Sequence, residues 1–186
     1  MYTLCTTEKT AQQQKQFEQA FLQMLLESHY DDITISDLCR RAGLTRKMFY
    51  RLFTKKADVL YSLIDHALLD GNNFEPDPSV GPGELHRFFA YWKSQEDLLD
   101  ALVKHQNGSL LTDRAVRFAL NEDTTLVHAF GADEGRFGFE TVVFYLTGIF
   151  SLVLTWHSQG YNHSIDDMSQ LMKDILTSPV VKHPFQ

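Results

Sequence analysis

Apolar residues recur along most of this chain at three- and four-residue intervals, and nowhere do they sustain the two-residue alternation of a half-buried strand. The first such stretch, residues 8 to 29, puts Phe17, Ala20, Phe21, Met24 and Leu25 on one helical face, and Tyr30-Asp31-Asp32 breaks it. Thr34 opens a second helix, with Asp37 three residues on completing an S/T-x-x-D/E cap. That helix runs to about Arg41 and stops at Ala42-Gly43, where the glycine suits a left-handed helix end. Thr45 caps a third helix from Arg46 to Phe53. Thr54 caps a fourth from Lys55 to about Leu69, with Val59, Leu60, Leu63, Ile64, Ala67 and Leu68 on its apolar side. Asp70 to Gly83 is dense in turn formers and reads as a linker. Beyond it the helical pattern returns over about 84–93, 95–106, 108–130, 138–159 and 164–177, with Gly131 to Gly138 as a second loop. The expectation is an all-α fold of about nine helices: an N-terminal three-helix unit over 8–54, a connecting helix over 55–70, a loop over 71–83 and a C-terminal helical domain over 84–178.

Composition adds that a core can be built, since 44% of the 186 residues are hydrophobic and 22% charged. The net charge of −7 argues against an anionic partner only as an average. Met1 to Leu60 carry nine Lys/Arg against seven Asp/Glu, about +2, and the remainder carries −9. Between Cys39 and Lys56 stand Arg40, Arg41, Arg46, Lys47, Arg51, Lys55 and Lys56 with no acidic residue among them. Such a patch is the footprint of a phosphate-contacting surface, or else a solvated charged face.

Cys5 and Cys39 are the only cysteines, which suggests no disulfide framework, and Cys39 falls on an apolar helical position as a buried thiol would. The first 20 residues are polar and rich in Gln, unlike a signal peptide, so a cytoplasmic location is expected. Thr141 to Tyr161 contain no Asp, Glu, Lys or Arg. Their Thr, Ser, His and Gln content and the lack of basic flanks at the C-terminal end favour a helix buried in protein, as at a subunit interface, over a membrane span.

Motifs for chemistry are missing: no phosphate-cradling Gly loop, no G-x-S-x-G and no H-E-x-x-H. Eight histidines include no i, i+4 helix pair of ligand spacing, and His157 and His163 lie six apart across a turn. Neither an enzyme, a metal site nor a cofactor is expected.

Two short helices, Thr34–Arg41 and Arg46–Phe53, joined by Ala42-Gly43-Leu44-Thr45, have the spacing of a helix-turn-helix. Ile35, Leu38, Cys39 and Ala42 share one side of the first, and Leu44, Phe49 and Phe53 can close on them. Arg46, Lys47 and Tyr50 are left near the outer N-terminal face of the second, the end a recognition helix presents to bases in the major groove.

The run Thr34-Ile-Ser-Asp-Leu-Cys-Arg-Arg-Ala-Gly-Leu-Thr-Arg-Lys-Met-Phe-Tyr-Arg-Leu-Phe-Thr-Lys-Lys-Ala-Asp-Val-Leu60 resembles the N-terminal domain of tetracycline-repressor (TetR/AcrR) type transcriptional regulators. Thr34, the Ala-Gly turn at 42–43, the Phe-Tyr pair at 49–50, Phe53, Lys56 and the Asp-Val-Leu at 58–60 carry the likeness over about residues 10–68. Trp156, Gly160 and the run Ser164-Ile-Asp-Asp-Met168 resemble the last two helices of some members. Cys39 stands where Ala is usual, and Leu52 where His is frequent.

The resemblance implies a regulator, more often a repressor, that contacts double-stranded DNA as a homodimer through Thr34, Ser36, Thr45, Arg46, Lys47, Met48, Tyr50, Lys55 and Lys56. Their chemistry makes Arg46 the foremost base reader, because a guanidinium bonds both guanine acceptors. Lys47 suits a base or a phosphate, and Met48 a thymine methyl. Thr34, Thr45, Tyr50 and Lys56 suit phosphates. Arg40, Arg41 and Arg51 are open between DNA contact and ordinary surface pairing.

For the C-terminal half the resemblance implies dimerisation and a pocket for a small apolar or aromatic effector. Val143, Leu146, Ile149, Phe150 and Val153 are the candidate dimer surface, with internal core as the other reading. Phe88, Trp92, Phe118 and Tyr145 are the candidate pocket residues. A co-regulator of the same fold that acts by binding a partner protein is the alternative.

Overall fold

The computed structural model describes residues 2, 4, 5, 7–72, 83–121 and 138–177. Among them are nine α-helices and no strand: α1 Glu8–Glu27, α2 Ile35–Ala42, α3 Arg46–Leu52, α4 Lys56–Asn72, α5 Gly83–Ser94, α6 Glu96–Lys104, α7 Gly108–Asn121, α8 Gly138–Ser158 and α9 Ile165–Thr177. The all-α expectation of about nine helices is met. The expected continuation of the seventh helix to 130 and the loop at 131–138 fall outside the described residues, apart from Gly138 at the start of α8.

Local capping explains the N-terminal boundaries. The Asp37 backbone N–H donates to Thr34 Oγ1 at 3.1 Å, and the Thr34 hydroxyl donates to the Asp37 carboxylate at 2.6 Å. Gly43 adopts φ 66, and the Leu44 N–H closes on the Cys39 carbonyl at 3.0 Å, which ends α2 at the only kind of residue that enters this conformation without strain. Thr45 repeats the N-cap for α3, accepting from the Met48 N–H at 3.3 Å. Each such cap stabilises by about 1 kcal/mol. α4 is capped from inside: the buried Asp58 carboxylate accepts the N–H groups of Thr54 (2.9 Å) and Lys55 (3.2 Å).

Phe17 of α1 meets Phe49 and Phe53 edge-on at 5.5 and 5.9 Å, and this ring cluster, with Phe21, Leu38 and Cys39, is the core of the three-helix head. Burial raises the Cys39 thiol above its ordinary pKa, against the opposing pull of Arg46, which disfavours the thiolate. α4 continues the head into the C-terminal half by packing on both α1 and α7. It runs on through Gly71, where a Cβ would stand 2.6 Å from the Tyr91 ring; the Tyr91 hydroxyl donates to the Ala67 carbonyl at 2.6 Å.

The two halves are also joined by polar contacts. Arg114 of α7 forms a two-pronged ion pair with Asp65 of α4, and Arg114 and Asp65 both bond the Tyr2 phenol. At the end of α6, Lys104 Nζ donates to the Leu25 and Leu26 carbonyls (3.2 and 2.5 Å) and His105 Nε2 donates to the Leu25 carbonyl (2.8 Å). These are carbonyls at the C-terminus of α1 that the helix itself leaves unpaired.

In the C-terminal half α8 packs mainly on α7, and α9 on α5. By length and composition Phe139–Ser158 could cross a membrane; its mean hydropathy is 1.5 and 33% of that window is buried inside the chain. The buried stripe is Val142, Leu146, Ile149, Phe150, Val153 and Trp156. Its other face, Phe144, Thr147, Gly148, Ser151 and Thr155, is exposed and carries no charge.

Candidate nucleic-acid interface

The Thr34 and Thr45 caps fix α2 and α3 so that their N-terminal turns share one exposed surface. Thr34, Ser36, Thr45, Arg46, Lys47, Tyr50 and Lys55 are all exposed, and Met48 is half-buried. Seven of the nine candidate contacts are therefore exposed, on α2 and α3 or at the residues just before α2, α3 and α4, while Met48 and Lys56 are half-buried.

Arg46 is the most organised of them. Its Nη1 donates to Ser36 Oγ at 2.8 Å, its Nη2 lies 3.4 Å from the Tyr50 hydroxyl, and the guanidinium carbon sits 5.9 Å from the Tyr50 ring centroid. Tyr50 is 52% exposed, and its ring is steadied by the buried Phe49 at 5.3 Å. Lys47 is exposed and makes no ion pair among the described residues. Lys55 lies over the Tyr61 ring, 5.9 Å from its centroid.

Lys56 departs from the expectation. Its ammonium donates to the carbonyls of Tyr30 (2.6 Å), Ile33 (3.0 Å) and Asp31 (3.3 Å), and lies 4.2 Å from the Tyr30 ring centroid. An ammonium has three protons, and all three point into the short 3₁₀ turn Tyr30–Asp32 and the residue after it. Lys56 is thus a clasp between that turn and α4, with its three protons taken within the chain.

The remaining basic residues are paired inside the protein: Arg40 with Asp37, Arg41 with Glu27, and Arg51 with Gln13. The Arg40 side chain is nonetheless 78% exposed, and such a surface pair is weak enough to be exchanged for another anion. Of the exposed basic side chains in this stretch, Arg40 and Arg41 are paired with carboxylates, while Arg46, Lys47, Arg51 and Lys55 face only neutral partners or none that is an ion pair among the described residues.

In the C-terminal half two expectations are corrected. Leu146, Ile149, Phe150 and Val153 are buried in the chain's own core, because this side of α8 lies against neighbouring helices; of the candidate dimer residues only Val143 stays part-exposed. Phe88 and Trp92 are filled core as well, packed on Phe150 with ring centroids at 5.7 and 5.0 Å. Phe118 on α7 and Tyr145 on α8 are half-buried and pack against the same core.

A cavity of about 470 Å³ lies instead at the seam between head and C-terminal half, lined by residues that include His29, Tyr30, Tyr61, Lys104, His105 and Asn107. None of the four candidate pocket residues lines it. Sequence periodicity missed this seam because its lining is gathered from three separated stretches, residues 29–31, 57–61 and 104–110.

Among the described residues no group of three His, Cys, Asp or Glu is placed to hold a metal ion. A buried polar chain does occur between α1 and α4. Gln14 donates to Ser62 at 2.9 Å, Ser62 donates to Glu18, and both Glu18 oxygens lie 2.9 Å from His66 Nδ1. It locks the two helices together, and no sequence motif announces it.

Set beside known proteins, the sequence matches no family model and no curated protein.

Proposed function

We propose that this protein is a sequence-specific, double-stranded-DNA-binding transcriptional regulator of the tetracycline-repressor type. The observation that supports this most is the exposed Ser36–Arg46–Tyr50 cluster at the N-terminal end of α3, on a capped helix pair with a left-handed glycine turn. In a helix-turn-helix that end enters the major groove. Arg46 is the base reader, and Lys47 and Lys55 neutralise phosphates.

One recognition helix covers few base pairs, so the reading includes a homodimer on a palindromic operator, acting as a repressor. The face that supports dimerisation is the uncharged side of α8 (Phe144, Thr147, Gly148, Ser151, Thr155); Leu171 and Ile175 of α9 are also exposed apolar residues. Phe144 is 64% exposed, and a Cβ on Gly148 would meet nothing within 4 Å, so the surface is open to a second helix at close range. A small apolar or aromatic effector that releases DNA completes the reading.

The test is binding to the DNA upstream of the protein's own gene at several salt concentrations. A steep loss of affinity with salt, and a preference over random DNA of about a thousandfold or more, are expected. Absence of binding at low salt overturns the reading in favour of a co-regulator that works through protein contacts.

A further inference from the structure

We propose that Ser36 and Tyr50 are positioning residues for Arg46, so that sequence readout at one guanine depends on a three-residue unit spanning α2 and α3; this rests on the DNA-binding reading above. A guanidinium has five N–H donors in a fixed plane. One on Nη1 goes to Ser36 Oγ at 2.8 Å, and one on Nη2 is directed to the Tyr50 hydroxyl at 3.4 Å. Three N–H groups remain, including one on each terminal nitrogen, and a bidentate bond to guanine O6 and N7 needs two.

The partners are themselves fixed. Ser36 stands in the first turn of α2, behind the Thr34 cap, and Tyr50 stands one turn after Arg46 with its ring against Phe49. The Arg46 fork is therefore oriented before it meets DNA, and less side-chain freedom is lost on binding. Arg40, Arg41 and Arg51 pair with Asp37, Glu27 and Gln13, none of which belongs to the α3 reading end. Arg46 alone is held by two exposed neutral hydroxyls. A hydroxyl orients a guanidinium without neutralising it, so the full charge stays available to the groove. Ser36 also keeps its own proton, because it only accepts from Arg46, and that proton can go to a neighbouring phosphate.

This arrangement predicts that Ser36 and Tyr50 act on specificity through Arg46 and not in parallel with it. The experiment is a double-mutant cycle on the full-length protein, with affinities for the native upstream site, for the same site with each guanine replaced by 7-deazaguanine, and for random duplex. Ser36→Ala and Tyr50→Phe are expected to lower the preference for the same guanine that Arg46→Ala affects. Added to Arg46→Ala, neither should reduce that preference by more than about twofold, and Ser36→Thr should restore it. Independent, multiplying losses would overturn the proposal. A second arm needs no DNA: the ¹⁵N side-chain signals of Arg46 in the free protein. Slowed rotation of its guanidinium in the wild type and faster rotation in Ser36→Ala is the expected result, and no change overturns the positioning role. Wild-type protein that binds no DNA removes the function proposed above, while this arm still decides whether Arg46 is held.

Discussion

Lys56 Nζ reaches back 26 residues to the Tyr30 carbonyl at 2.6 Å and lies over the same residue's ring at 4.2 Å. A charge-assisted hydrogen bond of this kind contributes roughly 1.5–3 kcal/mol. Lys56→Met is therefore expected to lower unfolding stability by about 2 kcal/mol by urea titration, while the salt slope of DNA binding stays at the wild-type value. A slope reduced by about one unit with stability unchanged would return Lys56 to the role of a phosphate contact.

Arg46 and Lys47 are neighbours with different expected signatures. Arg46→Ala should lose about 1–3 kcal/mol on the native site and relax preference at one position. Lys47→Ala should weaken native and random duplexes alike and lower the salt slope by about one unit. Equal loss on both kinds of DNA for Arg46→Ala would rule it out as a base reader.

The uncharged face of α8 gives the third expectation. Wild-type protein should sediment as a dimer, and Phe144→Asp combined with Leu171→Asp should give a monomer of unchanged helical content by circular dichroism. Phe144 and Leu171 are exposed in the single chain, so charges there leave the core intact. A wild-type monomer at micromolar concentration would refute the proposed interface.

Asp37 and Asp167 are both held below the ordinary carboxylate pKa, first by hydrogen bonds from the side chains of Thr34 and Ser164. A folded pKa below the unfolded one gives a contribution that is complete at neutral pH and is lost as pH falls through the folded value. The melting temperature should therefore fall on acidification below about pH 4, and fall less in Asp37→Asn with Asp167→Asn than in the wild type. An identical acid profile in that variant would show that the two caps contribute nothing.

Much of the head was legible because its determinants are local. Thr34, Gly43 and Thr45 act within three or four residues of themselves, and a left-handed turn leaves a glycine as its trace. The Lys56 clasp was not legible because its acceptors are backbone carbonyls 23 to 26 residues away, which carry no side-chain signature. The α8 residues Leu146, Ile149, Phe150 and Val153 were misplaced for another reason. An apolar stripe looks the same whether another chain or the protein's own helices cover it. The informative signal was the opposite stripe, where Thr147, Gly148, Ser151 and Thr155 are small and uncharged although exposed. Arg114 and Asp65, 49 residues apart, offered no pattern at all.

Because Lys104 and His105 bond the terminal carbonyls of α1, the N-terminal three-helix head is fastened at its base. Its first helix is tied to α6, with the Asp65–Arg114 pair as a second strut between α4 and α7. A displacement of α6 at the neighbouring cavity would therefore pull directly on the C-terminal end of α1. The spacing between two heads in a dimer would then be set by the tilt of α6.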